Sequence, residues 1–227
     1  MVFKYLEQGR HLAVKRLKAN PADQLALLAI SHNYGLRANY QFMVEKSYFG
    51  ALRNGNRARS FSNRLQKHHP EFVDGYLVAG VQEYVVGSLP WAVRALVAFG
   101  GVRGDKAKGE AMVARVARDG EFARNEARAL MVLVHRREGR PLEAVKILES
   151  YLEDYPRNYV LELEMASMYL DAGQKSNALH VFREVYKKYE ADEQGFGRMP
   201  ARIVKALERR IEKLEAEEPA RVQLAEF

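Results

Sequence analysis

The residues best suited to chemistry in this sequence are six histidines, and none has the spacing of a metal site. They are His11, His32, His68, His69, His135 and His180. Two histidines that share a metal from one helix lie four residues apart, as in HxxxH or HExxH, and neither pattern occurs here. The chain has no cysteine, so thiol catalysis, disulfides and cysteine-held zinc are excluded. We therefore expect no bound metal and no cofactor.

A second candidate for chemistry is the glycine-rich stretch at residues 100–106, which also contains Asp105 and a lysine. It lacks the GxxxxGK[ST] pattern of phosphate-binding loops, and it follows a predicted helix instead of a strand. A tight turn between two helices is the simpler interpretation. Carboxylates such as Glu162 and Glu164 lie on different sides of a helix, and no serine has a recognisable His/Asp partner. The sequence thus predicts a protein that is not an enzyme.

The elements that carry these residues are predicted to be helices arranged in a repeat. At a spacing of 34 residues, Gly139 corresponds to Gly173, and Ala144 corresponds to Ala178. From each alanine, apolar residues recur four, seven and eleven positions later, on one face of a helix. The small alanines indicate close helix crossings, and the glycines suit turns that need a positive φ.

This pattern resembles the tetratricopeptide repeat over residues 125–190. The resemblance implies an all-α, right-handed superhelix of antiparallel helix pairs that holds a protein or peptide partner, with no small-molecule substrate. The partner would lie in a groove formed by the first helix of each pair. The groove positions are Glu126, Ala129, Leu133, Arg137, Val160, Leu163, Ser167 and Asp171. The alternative is that some of these residues are merely exposed.

A narrower resemblance comes from Gly-Ser-Leu-Pro at residues 87–90, followed by Gly-Gly-Val-Arg-Gly-Asp-Lys at residues 100–106. This combination looks like a bacterial relative of a tetratricopeptide group that includes fungal inclusion-body-clearance proteins of the outer mitochondrial membrane. It implies an adaptor without catalysis. Chaperone-binding repeats hold a C-terminal carboxylate with a lysine and two asparagines, but the matching positions here are Ala129, Leu133 and Glu164. We therefore expect an apolar or basic peptide ligand.

One helical domain is predicted over residues 1–227. It has basic irregular repeats at 1–70, an irregular repeat with an inserted helix at 71–122, regular repeats at 125–190 and a capping helix at 200–217. The helices are expected near residues 4–18, 22–53, 55–68, 71–86, 89–99, 106–118, 125–138, 141–155, 159–172, 175–189 and 200–217. Residues after Glu215 are expected to fray. The first predicted helix lacks a pairing helix, so either residues precede it in the natural protein or it packs unusually.

Two features of the predicted helix at 22–53 matter later. It is expected to be one long helix, bent near Gly35. Its aromatic residues could stack on bases, but at helical spacing we place them in the core. These aromatic residues are Tyr34, Tyr40, Phe42, Tyr48 and Phe49.

Positive charge is concentrated at the N-terminal end of the chain. The net charge is +7, and residues 1–70 carry 12 Lys/Arg against 3 Asp/Glu. A run of cations without an intervening acid is predicted to point outward as one basic patch. It comprises Arg53, Arg57, Arg59, Arg64 and Lys67, followed by His68 and His69. The alternative function is therefore electrostatic docking of an anionic partner, either nucleic acid or a membrane surface.

The location expected from the sequence is the cytoplasm, because the first residues do not form a basic segment followed by an apolar one. A periplasmic or exported protein is the alternative, if an upstream signal segment has been removed. Composition alone leaves the partner and the oligomeric state open.

Overall fold

The structure is a computed structural model that describes residues 2–99 and 101–224, with side chains except those of residues 2, 3, 194 and 218–224. Over these ranges the protein is all-helical and contains no strand, as expected. The α-helices are α1 (Val2–Ala19), α2 (Gln24–Met43), α3 (Tyr48–His68), α4 (Leu77–Gly87), α5 (Trp91–Phe99), α6 (Lys106–Asp119), α7 (Arg124–Arg137), α8 (Pro141–Asp154), α9 (Tyr159–Asp171), α10 (Lys175–Glu190) and α11 (Ala201–Leu224). Short 3₁₀ helices occur at Val73–Tyr76 and Glu193–Arg198.

The chain forms two compact units, Met1–Leu130 and Met131–Phe227, with the boundary inside α7. In the first unit, α1, α2 and α3 pack around clusters that include Leu27 with Leu65 and Ala26 with Ile30. All four side chains are buried, so these clusters form the hydrophobic core between the three helices.

The predicted long helix at residues 22–53 is wrong, because the chain turns between α2 and α3. Lys46 has a positive φ of 54°, which ends the helical path. The Asn54 amide donates to Gln41 Oε1 at 2.7 Å across the turn. A Cβ atom at Gly50 would lie 2.8 Å from the Ser47 hydroxyl, so glycine permits the close return of the chain. The helix expected to begin near residue 55 therefore begins at the start of α3.

Glycines also permit the close crossing of α4 and α6. A Cβ atom at Gly109 would lie 2.6 Å from the Gly80 carbonyl oxygen, and one at Gly80 would lie 3.2 Å from the Gly109 carbonyl oxygen. Because neither helix could carry a side chain at this point, the two backbones approach directly. The α4–α6 pair belongs to the first unit, together with α1, α2 and α3.

Asp74 joins the region before α4 to the beginning of α7. This buried carboxylate accepts the backbone N–H groups of Glu121, Phe122 and Ala123 at 3.0, 3.0 and 2.6 Å. It thus satisfies the N–H group of Ala123 at the N-terminus of α7 and two N–H groups of the turn before that helix. The predicted helix at 71–86 accordingly begins with a 3₁₀ turn that carries Asp74, and α4 follows it.

Within the second unit the two turns of the 34-residue pattern have the same geometry. Gly139 and Gly173 have positive φ values of 67° and 74°. In each turn, the amide after the glycine donates to the carbonyl four residues before the glycine, at 2.8 Å. Ala144 and Ala178 are fully buried in separate clusters. The predicted glycine turns and close alanine positions are confirmed.

The last helix packs on α10 through Val204, Leu207 and Leu214. Its helical backbone extends to Leu224, beyond the predicted end at residue 217. The expected fraying of residues 225–227 lies outside the described residues. The expected bounds of α6, α8, α9 and α10 agree with the structure to within one residue.

Candidate functional site

An apolar cleft of about 470 Å³ opens in the first unit between α2, α3, α4 and α5. Its walls consist mainly of aliphatic and aromatic side chains. These lining residues include Leu36, Phe42, Tyr48, Leu52, Val78, Val81, Val85, Leu89, Val93 and Val97. Cavities of this size and composition are typical of sites for small or extended apolar ligands. At one side, His32 Nε2 lies 3.6 Å from the Glu126 carboxylate, and both side chains line the cleft.

The helices around this cleft carry large apolar side chains that the first unit leaves uncovered. We call six of them the apolar rim: Met43, Val44, Phe49, Trp91, Leu96 and Phe99. Each is more than half exposed, and Phe49 and Phe99 are 91% and 96% exposed. None of the α5 side chains is buried. A helix that is apolar on most sides is normally covered, so the rim indicates an interaction surface.

The prediction that the aromatic residues of this segment belong to the core holds for Tyr34, which packs against the cluster of Ala26 and Ile30, and is wrong for the other four. Phe42, Tyr48 and Phe49 are 57%, 61% and 91% exposed, and Tyr40 is also exposed. Phe42 and Tyr48 contact each other edge to face, with ring centroids 5.6 Å apart. In one continuous helix, the spacing of these residues would place them on a shared buried face. The turn at residues 44–47 breaks that helix, and the side chains lie exposed on either side of the turn.

A second, basic cleft of about 620 Å³ lies between α3, α4 and the loop at residues 101–105. Its loop wall is fixed by the buried Glu83. One Glu83 oxygen accepts the Asp105 N–H at 2.9 Å, and the other lies 2.5 Å from the Arg59 guanidinium. Arg59 also donates to the Arg103 carbonyl at 3.0 Å. The loop that the sequence predicts as a simple turn therefore forms one side of a polar site.

Four cationic side chains line the basic cleft: Arg59, Arg64, Lys67 and Arg103. Arg64 is oriented by a hydrogen bond to the Pro21 carbonyl at 2.9 Å and by its position above the Phe61 ring. Among the described residues, the Lys67 and Arg103 side chains have no ion-pair partner. Asn56, Ser60, Asn63 and Lys67 form a polar stripe along one face of α3. The cleft therefore combines unpaired positive charge with neutral hydrogen-bonding groups.

Gln82 and Val102 line both clefts. The Gln82 amide nitrogen donates to Asn56 Oδ1 at 3.3 Å. Its Oε1 atom is buried and accepts no hydrogen bond from any described residue. An unsatisfied buried acceptor is costly unless a ligand or solvent group donates to it.

The structure separates the cations that were predicted to form one outward patch. Arg59 is neutralised by Glu83, an acid that lies outside the segment in sequence. Arg57 lies 5.6 Å from the centre of the Tyr34 ring, and Arg53 is exposed but does not line the basic cleft. His69 Nε2 lies 2.7 Å from the Ala22 carbonyl oxygen. Only Arg59, Arg64 and Lys67 of the predicted patch meet in the basic cleft.

The predicted groove residues of the first unit are Glu126 and Ala129. Both are exposed, and Glu126 lines the apolar cleft beside His32. Sequence reasoning assigned Glu126 to a repeat groove and did not identify the cleft. The missed signal was the run of valines and leucines through α4 and α5, which is equally typical of a core.

Among the predicted groove residues of the second unit, some side chains are exposed and others are held in ion pairs. Leu133 and Val160 are 58% and 55% exposed, and Arg137 is also exposed. Asp171 pairs with Arg136 at 2.8 Å, and the same arginine reaches Glu164 at 3.1 Å.

The remaining two predicted positions face neighbouring groups. Leu163 packs against the C-terminal cluster. The Ser167 hydroxyl donates to the Leu163 carbonyl at 2.9 Å, and Arg210 of α11 lies 3.4 Å from it. The capping helix therefore reaches one of the expected groove positions.

No family model, curated protein or solved structure matches this chain. Within residues 2–99 and 101–224, no helix is long and apolar enough to cross a membrane. The same part of the chain contains no cluster of three His, Asp or Glu side chains able to hold a metal. Any function must therefore be argued from the two clefts and the apolar rim.

Proposed function

We propose that the protein is a non-catalytic adaptor that holds a partner protein on the apolar rim of its first unit. The observation that carries this proposal is the exposure of Phe49, Trp91 and Phe99 on helices that border one cleft. Burying such side chains against a partner removes apolar area from water, which is the main driving force for protein association.

The repeat pattern supports an adaptor over an enzyme. Two glycine turns of equivalent geometry lie in the second unit, and the helix pairs that they join resemble tetratricopeptide arrays that present binding surfaces. We further propose that these helix pairs continue as a right-handed superhelix. A partner segment in the repeat groove of the second unit would be apolar or basic, because the two acids Glu164 and Asp171 share one cation, Arg136.

The adaptor function can be tested with a photo-crosslinking amino acid placed in the full-length chain. We expect crosslinker at Phe49 or Phe99 to give one discrete adduct in the native cell, and expect Phe49→Glu/Phe99→Glu to abolish co-purification of the same protein. Crosslinker at Leu12 is the matched control, because Leu12 is 66% exposed on α1 and does not belong to the apolar rim. Equal adducts at Leu12 would refute a specific site on the rim.

Crosslinker at Leu133 and Val160 distinguishes the rim from the repeat groove of the second unit. Adducts at these two positions alone would move the partner to that groove. They would leave the adaptor function in place but contradict the assignment to the first unit.

A second candidate function is docking of an anionic partner in the basic cleft, favoured by the unpaired side chains of Lys67 and Arg103. Replacing two cations of this cleft with carboxylates should weaken heparin binding at low salt, with less difference at high salt. We expect Lys67→Glu/Arg103→Glu to elute earlier than wild type from heparin. The control Lys15→Glu/Lys18→Glu changes charge equally on α1, away from the cleft. Equal shifts for both variants would indicate a general charge effect.

A further inference from the structure

We propose that the basic cleft binds an oligophosphate, that is, a soluble small molecule that carries two or more linked phosphate groups. This inference rests on the second candidate function, because it names the chemistry of the anion that the basic cleft holds. It involves the basic cleft alone and is independent of a partner protein on the apolar rim.

The charge of the basic cleft calls for more than one phosphate group. Its charged lining residues are Arg59, Arg64, Lys67 and Arg103, and no described residue that lines it is acidic. Glu83 offsets the charge of Arg59, so three positive charges remain for a ligand. A single phosphate monoester carries only about −1.5 to −2 near neutral pH. Two or more linked phosphates supply enough negative charge to balance all three cations.

The available cations lie on two walls of the cleft. Arg64 and Lys67 belong to α3, whereas Arg103 belongs to the loop on the other side. The Glu83 carboxylate fixes this loop by accepting the Asp105 N–H at 2.9 Å. The volume between the walls is about 620 Å³, which exceeds the size of one phosphate group. An anion whose charge is distributed over several groups can contact both walls at once, and each contact is a charge-assisted hydrogen bond.

Neutral hydrogen-bond donors lie beside these cations on α3. The Gln82 amide nitrogen donates to Asn56 Oδ1 at 3.3 Å, so the Asn56 amide group is left to donate to a ligand. Ser60 and Asn63 line the same cleft and make no side-chain hydrogen bond with other described residues. All three side chains on α3 are exposed, so a soluble ligand can reach them. Phosphate oxygens, which are strong acceptors, match this set of donors.

The lining of the basic cleft argues against nucleic acid as its ligand. Proteins that hold single strands stack the bases on aromatic side chains, whereas no described residue that lines this cleft is aromatic. Among the same residues, Val102 has the one apolar side chain, so the cleft offers little surface to an organic body. We therefore expect affinity to follow the number of linked phosphates and to be unaffected by an attached nucleoside.

The experiment is a calorimetric titration of the full chain with sodium tripolyphosphate at low salt, near neutral pH and without magnesium. Pyrophosphate and orthophosphate shorten the phosphate chain, citrate presents several negative charges on carboxylates, and ATP adds a nucleoside to a triphosphate. We expect one tripolyphosphate per chain, at least about tenfold weaker binding of orthophosphate and citrate, and intermediate binding of pyrophosphate. ATP should bind within about threefold of tripolyphosphate. Added salt should weaken the binding of both.

A paired variant tests whether the basic cleft is the site. Lys67→Ala/Arg103→Ala removes one unpaired cation from each wall and should weaken tripolyphosphate binding at least about tenfold. Both side chains are exposed, so the variant should fold, as a circular dichroism melt will check. The matched control Lys15→Ala/Lys18→Ala removes the same charge from exposed positions on α1. It should retain wild-type affinity within about twofold, because charges away from the site are screened.

Several outcomes would overturn the proposal. Equal affinities for tripolyphosphate and orthophosphate, or for tripolyphosphate and citrate, would exclude recognition of linked phosphates. Equal losses in the cleft and control variants, or no loss in the folded cleft variant, would exclude the basic cleft as the site. ATP binding at least about tenfold tighter than tripolyphosphate would show that a base is recognised. Binding only to vesicles that contain phosphatidylinositol bisphosphate, without binding of tripolyphosphate, would assign the cleft to a membrane surface.

Failure of this inference can be distinguished from failure of the second candidate function. A heparin shift specific to Lys67→Glu/Arg103→Glu, together with no binding of tripolyphosphate, would keep the docking of an anionic partner and refute the oligophosphate. Equal heparin shifts for the cleft and control variants, again without tripolyphosphate binding, would remove both. The photo-crosslinking result for the partner protein is unaffected by either outcome.

Discussion

Replacing Asp74 should destabilise the first unit more than any comparable change of an acidic residue on its surface. The Asp74 carboxylate is buried and accepts three backbone N–H groups, and the Ala123 N–H among them is itself buried. A hydrogen bond to a charged group contributes about 1.5–3 kcal/mol. In Asp74→Ala, water can still reach the exposed Glu121 and Phe122 residues, while the Ala123 N–H loses its acceptor.

The desolvation of the carboxylate partly offsets the three hydrogen bonds, so we expect a loss of about 2–4 kcal/mol for Asp74→Ala. Asp74→Asn keeps Oδ1, which accepts from Phe122 and Ala123, but its amide group would face the Glu121 donor. That variant should lose about half as much. The predicted order of stability is therefore wild type, then Asp74→Asn, then Asp74→Ala.

The assay is urea unfolding followed by far-ultraviolet circular dichroism, because the only tryptophan in the chain, Trp91, is 79% exposed on α5 and is a poor probe of the core. If the two units unfold separately, only the transition of the unit that contains Asp74 should shift. The exposed Glu71→Ala is the control and should change stability by less than about 0.5 kcal/mol. An Asp74→Ala protein as stable as wild type, or more stable than Asp74→Asn, would refute the reasoning.

Three further predictions concern packing and pH. Ala144→Leu and Ala178→Leu each overfill a fully buried position and should cost about 1–3 kcal/mol in thermal or urea unfolding of the second unit; unchanged melts would contradict the helix register. Gly109→Ala would bring a Cβ atom against the backbone of α4, so it should destabilise the first unit by at least about 2 kcal/mol, whereas Gly9→Ala on α1 meets no neighbouring atom within 4 Å and should be harmless. The Ala26 N–H and the Arg16 guanidinium hold the pKa of Asp23 below its usual value of 3.8. The stabilisation by the charged Asp23 is therefore present above that pH and lost as pH falls through the lowered pKa, so thermal melts of wild type and Asp23→Asn should differ at pH 7 and converge in acid; a constant difference would exclude the charge as its source.

The helix bounds from α6 to α10 could be predicted because their signals are local. Asp105 and Asn158 accept hydrogen bonds from the first turns of α6 and α9. Gly139 and Gly173 end the preceding helices with a positive φ. Each of these signals lies within a few residues of the boundary that it sets, so periodicity and capping rules were sufficient.

The turn between α2 and α3 could not be predicted in the same way. Its cross-turn hydrogen bond joins Gln41 and Asn54, and its tight packing depends on the absence of a side chain at Gly50. The apolar spacing through the segment is equally compatible with one continuous helix. A continuous helix would in turn place the aromatic residues beside the turn in the core, where the structure does not have them.

The residues of the basic cleft could be predicted only in part, because their ion-pair partners are distant in sequence. Arg59, Arg64 and Lys67 stand out as basic residues, but the acid that pairs with Arg59 lies 24 positions away in sequence. Arg103 falls within a predicted turn. Which cations remain unpaired depends on the tertiary fold, so a count of charges along the chain could not separate Lys67 from Arg59.

Because no side chain of α5 is buried, we expect this helix to open locally more often than the helices around it. A helix of nine residues is too short to be stable by itself in water, and tertiary packing normally supplies the missing stability. Without a ligand or partner, the amides of α5 should therefore exchange with deuterium much faster than those of α4, whose side chains are largely buried. Occupation of the neighbouring cleft would slow that exchange. Deuterium uptake at residues 91–99 thus gives a readout of binding whatever the chemical nature of the bound molecule.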